Sequence, residues 1–225
     1  MTAFFVTGSG TDIGKTWVTA GLLAYWRAQG LGPGAFKPVA TGYDPERPED
    51  SDAAALLTAL SQPVTAETVE AITPFRYRAP LSPDQAVRLE DARRLTAEGV
   101  ALACKRLMRT AAGPVLLEGA GGVMSPLNES ETMLDLALAL GLPTIYVCGS
   151  YLGAISHALT GLAALKARSV ITAMVLVNES ELSTVDLTET CESLRSHIPW
   201  IPVLALPRGP SAAAVWPRVS SVLLA

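Results

Sequence analysis

Cysteine is scarce: the 225-residue chain has three, Cys104, Cys148 and Cys191, far apart and without a neighbouring cysteine or paired histidine. That spacing excludes a disulfide framework or a zinc motif, and it fits a reducing cytoplasm. Cationic excess is lacking too. Lys and Arg total 17 against 21 Asp and Glu, a net charge of -4, so little positive charge is left to neutralise a nucleic-acid backbone or an anionic bilayer. No apolar run reaches the 18 or so residues of a membrane span, despite a positive mean hydropathy. The apolar stretch 3–6 lacks preceding Lys or Arg and ends near Gly8, so no secretory signal is expected. Low-complexity tracts, short repeats and Gly/Ser-rich linkers are missing. What remains is a chain that is 49% hydrophobic and 17% charged, expected to fold as a single domain over residues 1–225.

Short apolar runs alternate with segments of helical length. Residues 3–7, 115–117, 143–148 and 171–177 read as buried strands, with weaker candidates at 34–39 and 203–206. Helical spacing of apolar positions covers 15–29, 51–60, 89–110, 132–140, 155–166 and 183–195. Strands that are apolar on both faces and joined by helices imply an α/β fold: a doubly wound, mainly parallel sheet with helices on both faces. Ligands of such sheets bind beyond the carboxyl ends of the strands. The segments 43–50 and 73–83, rich in polar residues and proline, read as surface loops near that edge.

The first strand runs into Gly8-Ser9-Gly10-Thr11-Asp12-Ile13-Gly14-Lys15-Thr16 and then a helix. Glycines let the backbone wrap a polyphosphate with its N–H groups inward, and the helix adds the positive end of its dipole. Lys15 would reach the β- and γ-phosphates, and Thr16 would offer a hydroxyl oxygen to a bridging Mg²⁺. Ser9 stands where the common loop pattern has glycine, so this is a variant. The glycine spacing and the lysine argue against a dinucleotide fingerprint.

Glu118 ends the strand 115–117 and is followed by Gly119-Ala120-Gly121-Gly122. A lone acid closing a buried strand is costly without a partner, which favours a role beside the phosphates. Asp52 begins a helix; spacing alone makes it equally an ordinary helix-start acid or a second Mg²⁺ ligand. Lys37, in Lys37-Pro38-Val39-Ala40-Thr41-Gly42, is by spacing either a solvated edge lysine or an anion contact. Gathered around a γ-phosphate, these groups would make an electrostatic clamp for phosphoryl transfer.

Residues 8–16, 37–42, Ser51 to Leu56, Ser82-Pro83, 118–122, Ile155 with His157 to Thr160, and Val177-Asn178 together resemble the dethiobiotin synthetase family, in the same order along most of the chain. The resemblance implies an ATP-dependent cyclo-ligase of biotin synthesis. Its substrates would be 7,8-diaminopelargonate, CO₂ and ATP, with Mg²⁺ as cofactor, in a cytoplasmic homodimer that uses neither nucleic acid nor membrane. It further implies that Thr11, Lys15 and Lys37 are catalytic and that Thr16, Asp52 and Glu118 bind the metal. Asp12, Ile13, Gly14, Lys15, Thr16, Asn178 and Pro207 would contact nucleotide, as would Trp17, where the family pattern has valine. Thr41, Lys37, Gly121, Gly122, Ser82 and Pro83 would meet substrate, and residues 152–155 would lie at the subunit boundary. Asn178 would read the adenine edge.

The chain departs from the family pattern at Gly10, at Asp12 (often Glu), at Asp84 (typically His) and at Ser156 (typically Asn). Asp84 is either an attractor of cationic amines or a helix-cap acid; His157 reads as a packing or capping residue. Rival readings are a cobyrinate-type amide ligase, a partitioning or positioning ATPase, and an idle homologue. The chain is short for the glutaminase domain of the first, and Gly8-Ser9-Gly10 lacks the early lysine of the second.

Overall fold

The computed structural model describes residues 2–181 and 183–225. In chain order the elements are β1 (Ala3–Gly8), α1 (Lys15–Ala28), β2 (Gly34–Phe36), β3 (Val39–Ala40), α2 (Asp52–Ala59), α3 (Ala66–Ile72), β4 (Phe75–Arg76) and α4 (Pro83–Leu89). They continue through α5 (Ala97–Met108), β5 (Val115–Glu118), α6 (Met133–Leu140), β6 (Thr144–Gly149), α7 (Ala154–Ala167), β7 (Thr172–Asn178), α8 (Leu187–His197), β8 (Val203–Leu206) and α9 (Trp216–Leu224). Six strands form one sheet in the order β2-β5-β1-β6-β7-β8, every neighbouring pair parallel. A separate parallel pair joins β3 and β4.

The apolar runs form central strands because both of their faces are covered. In β6 and β7, Ile145, Val147, Met174 and Leu176 enter one apolar cluster, whereas Tyr146, Cys148, Val175 and Val177 enter another with Leu162 and Leu165 of α7 and Leu194 of α8. Alternation with period two therefore feeds two cores at once. All three thiols are buried and unpaired, and burial pushes those of Cys104 and Cys148 up to about 12. Among the described residues no helix is long and apolar enough to cross a membrane.

The expected strand at 34–39 divides. Proline has no N–H for a ladder, and the Lys37 amide donates instead to Ile72 O at 3.0 Å, so the chain leaves the main sheet after Phe36. The expected helix at 89–110 begins only at Ala97. Thr96 caps it through Gly99 N, Asn128 Nδ2 binds Leu95 O at 2.8 Å, and Glu131 accepts from Ala97 N, so tertiary contacts hold that backbone out of the helix. The expected start at 183 likewise moves to Leu187, where Asp186 accepts from Glu189 N. The helices α3, α4 and α9 lie outside the helical segments expected from periodicity.

The topology sets the site. After β1 the chain first goes to one side of the sheet and later returns to build β6 on the other, so β1 lies between β5 and β6 at the reversal of strand order. The crevice there opens at Gly8 and Glu118, since Val6 pairs with Glu118 and Gly8 with Val147.

Candidate active site

At that edge the loop 9–14 carries the backbone from β1 into α1. Gly8 packs so closely on β6 that a Cβ would stand 2.1 Å from Val147 O, and Gly14 adopts φ +88° at the helix start. A Cβ on Gly14 would also meet Asn178 Nδ2 at 2.0 Å. Gly14→Ala thus combines a left-handed backbone, which costs about 1–3 kcal/mol for most residues, with a clash. Its expected result is a lower melting temperature and Mg-ADP affinity weakened about tenfold or more by calorimetry. Unchanged affinity would show that the loop binds phosphate without this conformation.

Lys15, at the first position of α1, turns back over the loop and donates to Gly10 O at 2.6 Å. Burial, aided by repulsion from Lys37, lowers its pKa to about 8. An anion arriving there would supply the charge that the loop lacks.

Behind it lies a compact ion cluster. Lys37 Nζ stands 2.7 Å from Asp52 Oδ2 and 2.7 Å from Glu118 Oε1, and the Thr16 hydroxyl lies 2.9 Å from Asp52 Oδ1 and 2.6 Å from Glu118 Oε1. β5 delivers Glu118, fully buried; the Ser51 cap of α2 sets Asp52 in the first turn, where the helix dipole favours an acid. Burial opposes the charge on Lys37, but Glu118 and Asp52 outweigh it and raise its pKa. Against its own desolvation, Asp52 is held below its ordinary value, chiefly by Lys37 and then by Thr16. The residue that spacing left undecided between solvent and anion is therefore a buried cation.

These residues fit Mg²⁺. Glu118 Oε2 is buried with no hydrogen-bond partner, an orphaned oxygen in a set of two carboxylates and a hydroxyl. Among the described residues there is no cluster of three or more His, Cys, Asp or Glu. Mg²⁺ suits such a sparse set because it retains waters and takes its remaining ligands from phosphates.

The cluster floors a cavity of about 920 Å³ that Thr11, Asp12, Gly14, Lys15, Thr16, Trp17, Lys37, Thr41, Asp52, Ser82, Pro83, Glu118 and Gly121 help to line. Most of the residues expected to act thus converge on one space. Gly121 has φ +65°, and its missing side chain leaves room for Ser125, whose hydroxyl accepts from Gly122 N at 2.8 Å. Gly122 packs against the Gly10 backbone, where a Cβ would be 3.1 Å away.

Four expected residues, Gly122 among them, are placed apart from the lining. Ile13 is buried, with its side chain against Gly8. Asn178 sits beneath the loop and donates from Nδ2 to Ile13 O at 3.1 Å, while Pro207 follows β8. Asp84 resolves as a helix-start acid: it accepts from the Ser82 hydroxyl at 2.5 Å and pairs with Arg88 at 3.1 Å one turn on. His157 is exposed on α7 and bonded to the Tyr151 hydroxyl at 2.9 Å. Sequence reasoning missed Gln85, Pro80 and Leu81 as lining residues; Ser82-Pro83, a cap followed by proline at the first helical position, signals the helix that brings Gln85 there.

A family model described as an AAA domain matches residues 2–212. The ATP-dependent dethiobiotin synthetase BioD of Phenylobacterium zucineum is 49% identical over 214 residues, spanning 95% of this chain and 92% of that protein. Its namesake from Acidiphilium cryptum is 44% identical over 199 residues, spanning 88% and 89%. Among solved structures, the cell division ATPase MinD of Pyrococcus furiosus covers 100% of this chain and 99% of its own, with a TM-score of 0.57 at 13% identity. The MinC:MinD complex of Aquifex aeolicus gives a chain with a TM-score of 0.58 at 12% identity, covering 97% and 86%. At these identities the likeness carries the fold, that of the P-loop NTPases, and no more.

Proposed function

This chain belongs to the ATP-dependent dethiobiotin synthetase family, a family of ATP-dependent ligases in biotin synthesis, and we propose that it closes the ureido ring of 7,8-diaminopelargonate with CO₂. The observation that carries this reading is Lys37, a buried cation shared by Asp52 and Glu118 beside the phosphate loop. A nucleotide-binding fold alone needs no such second lysine. A transferase clamp does.

In this account one substrate amine takes up CO₂ as a carbamate, giving up a proton. A carbamate oxygen attacks the γ-phosphorus of ATP, and the bond to the β-phosphate oxygen breaks, releasing ADP and leaving a carbamic-phosphoric anhydride. The second amine then attacks the carbamoyl carbon; phosphate departs, and the amine loses a proton as the cyclic urea closes. Activation is needed because phosphate is a far better leaving group than oxide.

The chain's own residues serve these steps by position and charge. Loop amides and Lys15 bind the phosphates and Thr11 contacts them from the rim, while Thr41, Ser82 and Pro83 orient the diamine or its carbamate, with Gly121 and Gly122 shaping that wall. Lys37 stabilises negative charge on the transferring group and on the carbamate. Held near the developing charge before reaction begins, it costs little reorganisation. Thr16, Asp52 and Glu118 would hold Mg²⁺, which supplies neutralising charge to the phosphates. Lys37 bridges Asp52 and Glu118 beside the phosphate loop, where its ammonium would meet the γ-phosphate.

The whole of residues 1–225 would act as one synthetase domain, in a cytoplasmic homodimer whose boundary includes the exposed Leu152. The test is phosphate release from Mg-ATP with and without the diamine and bicarbonate, followed by mass detection of the cyclic urea. Diamine-dependent release with urea formation is expected. Equal release in both arms would refute the synthetase reading.

A further inference from the structure

We infer that the cavity between α7 and α8, at the amino-terminal edge of the sheet, is a second small-molecule site and that it takes a medium-chain monocarboxylate. It is separate from the catalytic cavity. Helix α7 starts beside the carboxyl end of β6, and Lys166 stands about 18 Å further along it at a rise of about 1.5 Å per residue. The cavity measures about 490 Å³, within the range of about 300–1,000 Å³ usual for small-molecule sites. Leu159, Leu162, Ala163 and Lys166 line it at spacings of three and four, so one stripe of α7 makes a wall whose apolar part ends in a cation. Ile171, ahead of β7, and Trp200 and Ile201, ahead of β8, make the facing wall.

The shape is built into the backbone. Val170 N donates to Leu165 O at 2.9 Å and Ile201 N to Ile198 O at 3.0 Å, closing the turns from α7 into β7 and from α8 into β8. Ile171 O accepts from the Thr144 amide at 2.7 Å and from its hydroxyl at 3.1 Å. With the turns held, Ile171 and Trp200 stay 69% and 62% exposed. Large apolar side chains kept in water around a concavity mark a place where something binds.

Charge names the ligand. Lys166 Nζ lies 4.6 Å from the centroid of the Trp200 ring, and no Asp or Glu lines the cavity. The indole face holds the ammonium at the mouth, and the N–H groups turned from the ring can meet an anion. An apolar cavity with a cation at its mouth complements a carboxylate carried on a methylene chain. It repels the matching amine, and a neutral chain leaves the ammonium unpaired. A plain fatty carboxylate and the product proposed above, dethiobiotin, share that chemistry.

The experiment titrates the wild type with octanoate, octylamine and octanol in a calorimeter, Mg-ADP being present to occupy the catalytic cavity. It is repeated on Lys166→Glu and Trp200→Ala, both surface changes, with melting temperature reporting that each variant folds. Octanoate should bind once per chain and about tenfold more tightly than octylamine, and Lys166→Glu should reverse that preference. Trp200→Ala should weaken octanoate about tenfold by removing a wall. Dethiobiotin is then added against bound octanoate: displacement makes the product the occupant, no displacement makes it a plain fatty carboxylate, and either supports the site. No octanoate binding, equal binding of octylamine, or a preference that Lys166→Glu leaves unchanged would overturn the proposal. So would a wild-type dimer that Trp200→Ala dissociates, because a second copy would then fill the cavity. Absence of diamine-dependent phosphate release would count against the synthetase reading alone, since neither Lys166 nor Trp200 lines the catalytic cavity.

Discussion

Lys37→Ala is expected to lower turnover about a thousandfold, the scale on which a single preorganised charge-stabilising donor contributes to a transition state. Affinity for Mg-ADP should change only a few-fold, on the order of what remote charge removal causes, because Lys15 and the loop amides remain in place. Such a split separates a residue acting on the transferring group from one that merely binds nucleotide. The same substitution leaves the carboxylate of Glu118 buried without its cation. Breaking a buried pair from one side costs about 3–5 kcal/mol, so the melting temperature should fall on the order of 10 °C. Mg²⁺ should recover part of that loss if the acids are its ligands. Kinetics, calorimetry and thermal melts on one preparation check all three statements, and normal turnover would remove Lys37 from the mechanism.

Glu118→Gln should act through the metal. The amide keeps the shape of the side chain and an oxygen for Lys37, which lies 2.7 Å from Glu118 Oε1, so the fold should survive. It removes the charge and an oxygen donor at the end of β5. Since perturbing even the outer partners of a metal ligand costs about 10–100-fold in affinity, loss of the ligand itself should cost at least about a hundredfold. The measurement is Mn²⁺ binding to the protein–ADP complex, followed by the paramagnetic signal of free Mn²⁺. An unchanged affinity would place the ion on other residues.

How much of this was readable from sequence depends on whether local or tertiary forces decide. The central strands were legible because both faces of β1, β5, β6 and β7 are apolar, and α1 and α2 because glycine loop and serine cap announce them. Lys37-Pro38 misled: its apolar neighbours suggest one strand, but proline cannot carry the ladder and Ile72 captures the Lys37 amide. Residues 89–96 misled for a related reason, since Asn128 and Glu131, more than thirty positions away, take the hydrogen-bonding groups a helix would use. The short α3 and α9 have little periodicity to show, although Thr65 and Pro217 mark their starts.

In the site, Lys15, Thr16 and Glu118 were legible from local pattern. Lys37 and Asp52 were not, because their meaning lies in a meeting of three chain segments: charge pairing at 2.7 Å makes a buried cation of a lysine that spacing alone could leave in solvent. Asn178 donates its amide N–H to Ile13 O in the loop, while its Oδ1 is buried with no partner.

The most direct test titrates the folded wild-type protein with a non-hydrolysable ATP analogue and Mg²⁺ in a calorimeter. One bound nucleotide per chain is expected, with binding that weakens sharply when Lys15 is replaced by alanine. No heat from the wild type, or equal binding by the Lys15→Ala variant, would contradict a phosphate site at the end of β1.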